Sequence, residues 1–339
     1  MRAIVYTETG GHDVLKLVDR PDPTPGRDEV LVRVAVSGVN PTDWKARRGD
    51  GPGRPLAFPE VVPNMDGAGT VEAVGADVDA GRVGERVWLW EAARHRANGS
   101  AQELVALPAS HAVPLSEGAS FDLGASIGIP ALTAHRCLTV GVDGPAGLGP
   151  HTLDGHTVLV AGGAGAVGHA AIELAVWSGA TVITTVSTPE KAALAWAAGA
   201  QHVVNYREPG AVEAVRAAAP EGVEIIVEVA PATNAALNEA VIARNGTVAI
   251  YASERDDLTI AIDPAMTTNT RFQIVLVYTM PAKAKEQAIA DVQDAVGAGA
   301  LRVGAEAGLP LHRFPLERTA EAHAAVEANA VGKVLIDIE

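Results

Sequence analysis

The stretch Leu159-Val160-Ala161-Gly162-Gly163-Ala164-Gly165-Ala166-Val167-Gly168 decides how the rest of the chain is read. Glycines at 163, 165 and 168 have the spacing G-x-G-x-x-G, which by itself marks only a tight turn. Its surroundings make it specific. The apolar run Thr157 to Ala161 precedes it as a buried-type strand, and Val167, Ala171, Leu174 and Ala175 follow at helical intervals. Strand, glycine turn and helix in that order form a cradle for a pyrophosphate: backbone without Cβ atoms comes close, and a helix start offers unpaired N–H groups and partial positive charge.

Outward from this point the chain divides in texture. From about residue 126 Ala-rich helical segments alternate with six short apolar runs, HTVLVA, ATVITTV, QHVVNY, EIIVEVA, GTVAIYA and FQIVLVYT, the signature of a parallel sheet covered on both faces. The segment PEKAALAWAAGA reads as a helix, with Pro189 near its start and Gly199 near its end. Before about residue 125 the pattern is β-rich and punctuated by Gly and Pro, as in EVLVRVAVSGV and GTVEAVG. The tail after about 300, ending GKVLIDIE, is strand-like and is expected to rejoin the first part, and GVDGPAGLGPHTLDG is the most loop-like insert. The expected organisation is a β-barrel-like domain over 1–125 completed by 300–339, and a Rossmann-type doubly wound parallel sheet over 126–299.

Composition limits what such a chain does. With 339 residues, 48% hydrophobic and 20% charged, it has enough apolar surface for two ordinary cores. A formal charge of -15 repels a phosphate backbone, so no nucleic-acid partner is expected. No run of some eighteen apolar residues and no leader-like start are present, so the expectation is a protein without membrane association, in the cytoplasm. The single cysteine, Cys137, excludes an internal disulfide and any metal site of several thiolates; its apolar helical surroundings make it a small core residue. Glu91 and His95 in EAARH have helix-type metal spacing but no third partner, so no metal is expected there.

The choice of dinucleotide rests on the next strand. An NAD site carries Asp or Glu at its end, about 20 residues beyond the glycines, to hold the ribose hydroxyls. Here ATVITTV runs into Ser187-Thr188-Pro189-Glu190-Lys191, with hydroxyls at the strand end and Glu190 already in the following turn. Lys191 is placed to reach a ribose 2′-phosphate and Tyr206 to close over it, which favours NADPH.

These residues converge on a known family. In SGVNPTDWKARRG (Ser37 to Gly49), PNMDGAGTVEAVG (Pro63 to Gly75), GERVW (Gly84 to Trp88), GASIGIPALTAHR (Gly124 to Arg136), AGGAGAVG and STPEKAALAWAAGAQHVVNYRE (Ser187 to Glu208), the chain resembles the medium-chain dehydrogenase/reductases, and within them the zinc-free quinone oxidoreductases that include zeta-crystallin. The resemblance covers nearly the whole length and implies a GroES-like catalytic domain beside the Rossmann domain. Lys191 and Tyr206 fall where those reductases place residues around the 2′-phosphate. It further implies coenzyme contacts at Gly163, Ala164, Gly165, Ala166, Val167 and Gly168, at Ser187, and in the loops near Ala230, Tyr251 and Ser253. Thr133 matches a family position near the nicotinamide carboxamide.

The departures are equally informative. Zinc-dependent relatives carry a cysteine ligand where this chain has Asn40, and Gly-His-Glu where it has Asn64-Met65-Asp66; their four-cysteine lobe is missing. Similar quinone reductases often have a tyrosine two residues after the Asp of the first motif, whereas Asp43 is followed by Trp44 and Lys45. Without a Lewis acid the accessible chemistry is hydride transfer from NADPH to an already electrophilic acceptor, a quinone or an enone. Asn40 is the first candidate to meet the developing oxyanion and Lys45 the second, with Trp44 on the substrate side. Asp43 reads as a structural acceptor, since nothing in the sequence points to a raised pKa, and Trp88 and Trp90 as packing. The long apolar edge run FQIVLVYT is expected to pair with a copy of itself in a homodimer. Three further readings stay open: an enoyl-thioester or alkenal reductase, a non-catalytic NADPH-binding sensor, and, against the ligand count, a zinc alcohol dehydrogenase.

Overall fold

The computed structural model describes residues 1–49, 56–254 and 256–338. The chain forms two compact units, Met1–Ile129 with Leu311–Glu339, and Pro130–Pro310.

The second unit is built on six parallel strands whose spatial order is His202–Asn205, Thr181–Val186, Thr157–Ala161, Val223–Glu228, Ile242–Ile250 and Arg271–Ile274. Numbered along the chain within this unit, that order is 3-2-1-4-5-6, with the reversal beside Thr157–Ala161, the arrangement of a doubly wound dinucleotide-binding sheet. Its central strands are near-continuous runs of β-branched residues because both faces are covered; Leu159, Ile183, Val223, Ile226 and Val248 lie in one buried cluster. The helices Ala166–Trp177, Pro189–Ala197, Ala211–Ala218, Pro231–Val241 and Ile262–Thr268 lie on the five crossovers. Segment 141–155 is irregular, as its Gly and Pro content requires.

The sixth strand is shorter than its sequence suggests. FQIVLVYT pairs only through Ile274, and Val277–Thr279 turns into a 3-10 segment. The neighbouring strand ends at Ile250, whose carbonyl accepts the last bond of the ladder from Val275 N–H at 2.7 Å, and no further ladder pairing follows among the described residues. Val275 and Val277 still turn inward, and Ile274 and Leu276 stay exposed.

In the first unit seven strands form one sheet, along the path Leu311–Pro315, Lys333–Asp337, Glu29–Val39, Asp66–Val74, Arg86–Leu89 and Ala112–Pro114, with Leu104–Pro108 also paired to Glu29–Val39. The tail rejoins this unit through Lys333–Asp337, antiparallel to Glu29–Val39. It is not strand alone: the helix Thr319–Glu327 precedes that strand, and the short helix Pro41–Arg48 interrupts the β-rich first part. The core gathers Val30, Val32, Val34, Val71, Val87, Leu107, Val334 and Ile336. Glu91 and His95 do not share a helix face: the chain turns there, and both residues have positive φ, 49° and 55°. Cys137 is wholly buried, and burial pushes its thiol far up, as a core residue requires. Among the described residues no helix is long and apolar enough to cross a membrane.

Candidate functional site

The glycine-rich turn realises three different requirements. A Cβ on Gly163 would come within 2.2 Å of the Thr184 hydroxyl, which is fixed by its bond to Val160 C=O at 2.7 Å. A Cβ on Gly168 would lie 2.4 Å from Gly162 O, so the first turn of the helix packs directly on the loop. Gly165 is different: it is exposed, extended at φ -85° and ψ 162°, and its nearest contact for a Cβ is Gly162 O at 3.5 Å. Two glycines are therefore set by packing, and the third leaves its surface open. Among the described residues no side chain caps the helix Ala166–Trp177, so its first amides could hold an anion.

At the end of Thr181–Val186 the expected hydroxyl and cation come together. Lys191 Nζ donates to Ser187 Oγ at 3.3 Å, while Thr188 caps the helix Pro189–Ala197 by accepting from Lys191 N–H at 3.3 Å. Tyr206 N–H donates to Val186 O at 3.1 Å, which brings the half-exposed Tyr206 beside Ser187. Glu190 is engaged with its own N–H and the Thr188 hydroxyl, which hold its carboxyl below the usual range.

The later loops are organised by two carboxylates that sequence reasoning did not single out. Glu228, fully buried, accepts from Ala230 N–H at 2.6 Å, Asn234 Nδ2 at 2.9 Å and Asn238 Nδ2 at 2.6 Å. Glu254 accepts from Ala232 N–H at 2.9 Å and from Thr233 N–H and Oγ1 at 3.1 and 2.6 Å, capping the helix Pro231–Val241 from the adjacent loop. Ala230, Tyr251 and Ser253 are thus tied into one structure, Tyr251 N–H donating to Glu228 O at 3.1 Å. The signal was present in the two asparagines four residues apart after EVA, a pair that needs a buried acceptor. Thr133 is buried within the helix Phe121–Thr139.

The first unit holds a second concentration of chemistry. Sheet register creates it: Val39 pairs with Val334 and Gly38 with Asp66, so Asn40, Lys333 and Asp66 meet at one end of three adjacent strands. Asn40 Nδ2 donates to Asp66 Oδ2 at 2.7 Å, and Lys333 Nζ donates to Asn40 Oδ1 at 2.8 Å and lies 3.4 Å from Asp66 Oδ2. Asp66 Oδ1 accepts from Ile129 N–H at 2.9 Å. All three side chains are 3% exposed or less. Burial pushes Asp66 up and Lys333 down, each opposed by the charge of the other. Asn40, the first expected oxyanion donor, therefore has its oxygen and one N–H committed inside this network. Lys45, the second, is half-buried with Nζ 5.8 Å from the centre of the half-buried Trp44 ring. Trp88 and Trp90 are core residues, Trp90 stacking on His111 with ring centres 4.0 Å apart.

Asp43 corrects the sequence reading in one respect. It is a structural acceptor, taking Asn40 N–H at 2.7 Å and Met65 N–H at 3.2 Å. Yet burial, helped by Asp66, pushes it up to about 8 against the opposing N–H bonds and Lys333. A folded-state value above 3.8 means the native protein holds this proton more tightly than the unfolded chain. The corresponding stability is present in acid and is lost as pH rises towards 8. The expected result is a slope of unfolding free energy against pH that is more negative in the wild type than in Asp43→Asn between about pH 4 and 8, as read by urea unfolding at several pH values. An identical slope in the variant would remove Asp43 from the account.

The donor set does not fit a zinc ion: Asn40 and Met65 stand where thiolate and imidazole would be needed, and no group of three His, Cys, Asp or Glu converges among the described residues. Asn64, at φ 80°, holds a left-handed turn by donating to Ser37 Oγ at 2.9 Å and accepting from His323 Nε2 at 2.9 Å.

An open dinucleotide-type sheet carrying a glycine-rich turn, together with a largely antiparallel first unit, is the architecture of a nicotinamide-dependent dehydrogenase or reductase. Family comparison agrees: residues 26–117 match the alcohol dehydrogenase GroES-like domain, and residues 166–294 the zinc-binding dehydrogenase family. Quinone oxidoreductase of Homo sapiens is 33% identical over 99% of this chain and 97% of its own length, and that of Pongo abelii 32% over the same shares. A mycobacterial protein solved in complex with NADPH superposes with a TM-score of 0.81 at 32% identity, covering 99% of both chains. An NAD-dependent alcohol dehydrogenase superposes with a TM-score of 0.86 at 28% identity, covering 100% of both. The chain belongs to the medium-chain dehydrogenase/reductase superfamily, among its quinone oxidoreductase-like members.

Proposed function

We propose that this protein is an NADPH-dependent reductase that reduces quinones or α,β-unsaturated carbonyls without a metal ion. The observation that carries the coenzyme choice is the end of the strand Thr181–Val186, where Ser187 and Lys191 are joined at 3.3 Å and Tyr206 is tied alongside, while the Glu190 carboxylate is turned back on its own helix start. A cation with two hydroxyl groups suits a 2′-phosphate; a carboxylate would suit the free ribose hydroxyls. The mycobacterial structure solved with NADPH supports the same reading.

When bound, NADPH would supply a hydride to an electrophilic carbon of the acceptor, leaving NADP+ and an oxyanion that takes a proton from solvent. The chain's own part is positional. The amides of Ala164 to Val167 and the helix start behind them would hold the pyrophosphate, with Gly165 leaving room for it. Lys191, Ser187 and Tyr206 would hold the adenosine phosphate, and the loops fixed by Glu228 and Glu254 would carry Ala230, Tyr251 and Ser253 to the coenzyme. Asn40 is the residue we assign to the developing oxyanion, with Lys45 and Trp44 on the acceptor side and Thr133 at the nicotinamide.

The test follows NADPH absorbance with a naphthoquinone, an enone and an enoyl thioester, each with and without chelator. Oxidation with the quinone or enone, unaffected by chelator, is the expected result. Turnover only on the thioester would reassign the substrate, loss of turnover with chelator would restore a metal, and coenzyme binding without any turnover would make the protein a sensor.

A further inference from the structure

The buried trio Asn40, Asp66 and Lys333 has a geometry that hydrogen-bond lengths alone define. A side-chain amide is nearly symmetric in shape, and either flip of Asn40 fills the same space. Charge breaks the tie: the reversed flip would set NH2 against the Lys333 ammonium and oxygen against the Asp66 carboxylate. Only the orientation with Oδ1 on Lys333 at 2.8 Å and Nδ2 on Asp66 at 2.7 Å is compatible with both partners.

The 3.4 Å separation between Lys333 Nζ and Asp66 Oδ2 adds a second constraint. The two partners can be that close only if both sit on the same side of the carboxamide, so Asp66 takes the Nδ2 hydrogen lying on the oxygen side. The hydrogen on the opposite side is left over, and no acceptor for it occurs among the hydrogen bonds of the described residues. Desolvation makes the arrangement stiff: with Asp66 0% and Lys333 1% exposed, breaking either contact strands a buried charge.

We propose that Lys333 and Asp66 are positioning residues for the reduction: together they lock the Asn40 carboxamide in one orientation and leave its second Nδ2 hydrogen to meet the negative charge that develops on the acceptor oxygen. The inference rests on the reductase reading above. It goes beyond it by assigning a catalytic purpose to a lysine 293 residues away from Asn40 in sequence. A zinc-dependent relative would draw electrophilic assistance from its metal; here a fixed dipole, oriented by an internal ion pair, takes that place.

The experiment is a double-mutant cycle on the whole enzyme, reading kcat with a naphthoquinone and the dissociation constant of NADPH. Wild-type turnover is measured first, and its absence with quinone and enone alike would overturn the reductase reading together with this one. Given turnover, Lys333→Met is expected to lower kcat roughly 10- to 100-fold, the cost typical of losing a group that orients a reacting one, with NADPH affinity unchanged within about twofold. In an Asn40→Ala background the same Lys333→Met change should have almost no further effect on kcat, because the residue it positions is gone. Equal losses in both backgrounds would show a merely structural lysine, and an unchanged kcat in Asn40→Ala itself would overturn the proposal while leaving the reductase intact. Asp66→Asn, which keeps the side chain's size, runs through the same cycle with the same expectation should Lys333→Met fail to fold.

Discussion

Lys191→Ala should lower kcat/KM for NADPH roughly 30- to 160-fold while leaving that for NADH within about threefold, because a charge-assisted hydrogen bond to phosphate contributes about 2 to 3 kcal/mol. The asymmetry is the point of the measurement. Lys191 Nζ is 3.3 Å from Ser187 Oγ at the end of the second strand of the nucleotide unit, and in the proposed site its loss removes a contact available only to a coenzyme carrying the 2′-phosphate. The backbone there is unaffected, since the Thr188 cap uses the N–H of residue 191 and that N–H remains in alanine. Steady-state kinetics with both coenzymes, ideally with Ser187→Asp in parallel, provide the check. If the ratio of the two specificity constants stays where it was, the phosphate is held elsewhere and NADPH loses its structural support.

The glycine-rich turn yields a second prediction with two opposite outcomes from the same one-carbon change. Gly168→Ala sets a methyl 2.4 Å from Gly162 O and 3.0 Å from Gly163 Cα, both backbone, so loop and helix must separate. Overpacking of this kind costs about 1 to 3 kcal/mol, a drop in Tm of roughly 3 to 10 °C for a unit of this size. Gly165→Ala adds the same methyl in extended backbone with nothing nearer than 3.5 Å, so Tm should not move. Its cost falls on the ligand instead, a loss of NADPH affinity of roughly 10-fold or more as the pyrophosphate is held away from the amides. Calorimetry and coenzyme titration on the two variants separate the roles. A Gly165→Ala protein that binds NADPH like the wild type would show that this loop does not face the coenzyme.

Most of the nucleotide unit was legible because its information is local. Parallel strands buried on both faces are written as unbroken apolar runs, and all six runs became strands in a 3-2-1-4-5-6 sheet. The edge run was over-read for the same reason: composition shows that FQIVLVYT is apolar, but whether it pairs depends on where its neighbour stops, and that neighbour stops at Ile250. The spacing of Glu91 and His95 misled likewise, since four residues apart means one face only on a helix, and the chain is turned there.

Sequence alone determined the glycine-rich turn between strand and helix and the hydroxyl-and-lysine end of the second strand, because each is a short stretch whose residues act on their own backbone or on their near neighbours. Only the tertiary structure decided that Asn40, Asp66 and Lys333 form one closed set, that Asp43 is pushed up to about 8, and that Glu228 and Glu254 anchor the loops after the fourth and fifth strands. The register that pairs Val39 with Val334 and Gly38 with Asp66 joins segments far apart in the chain, and the burial that gives their charges weight exists only once those strands have met.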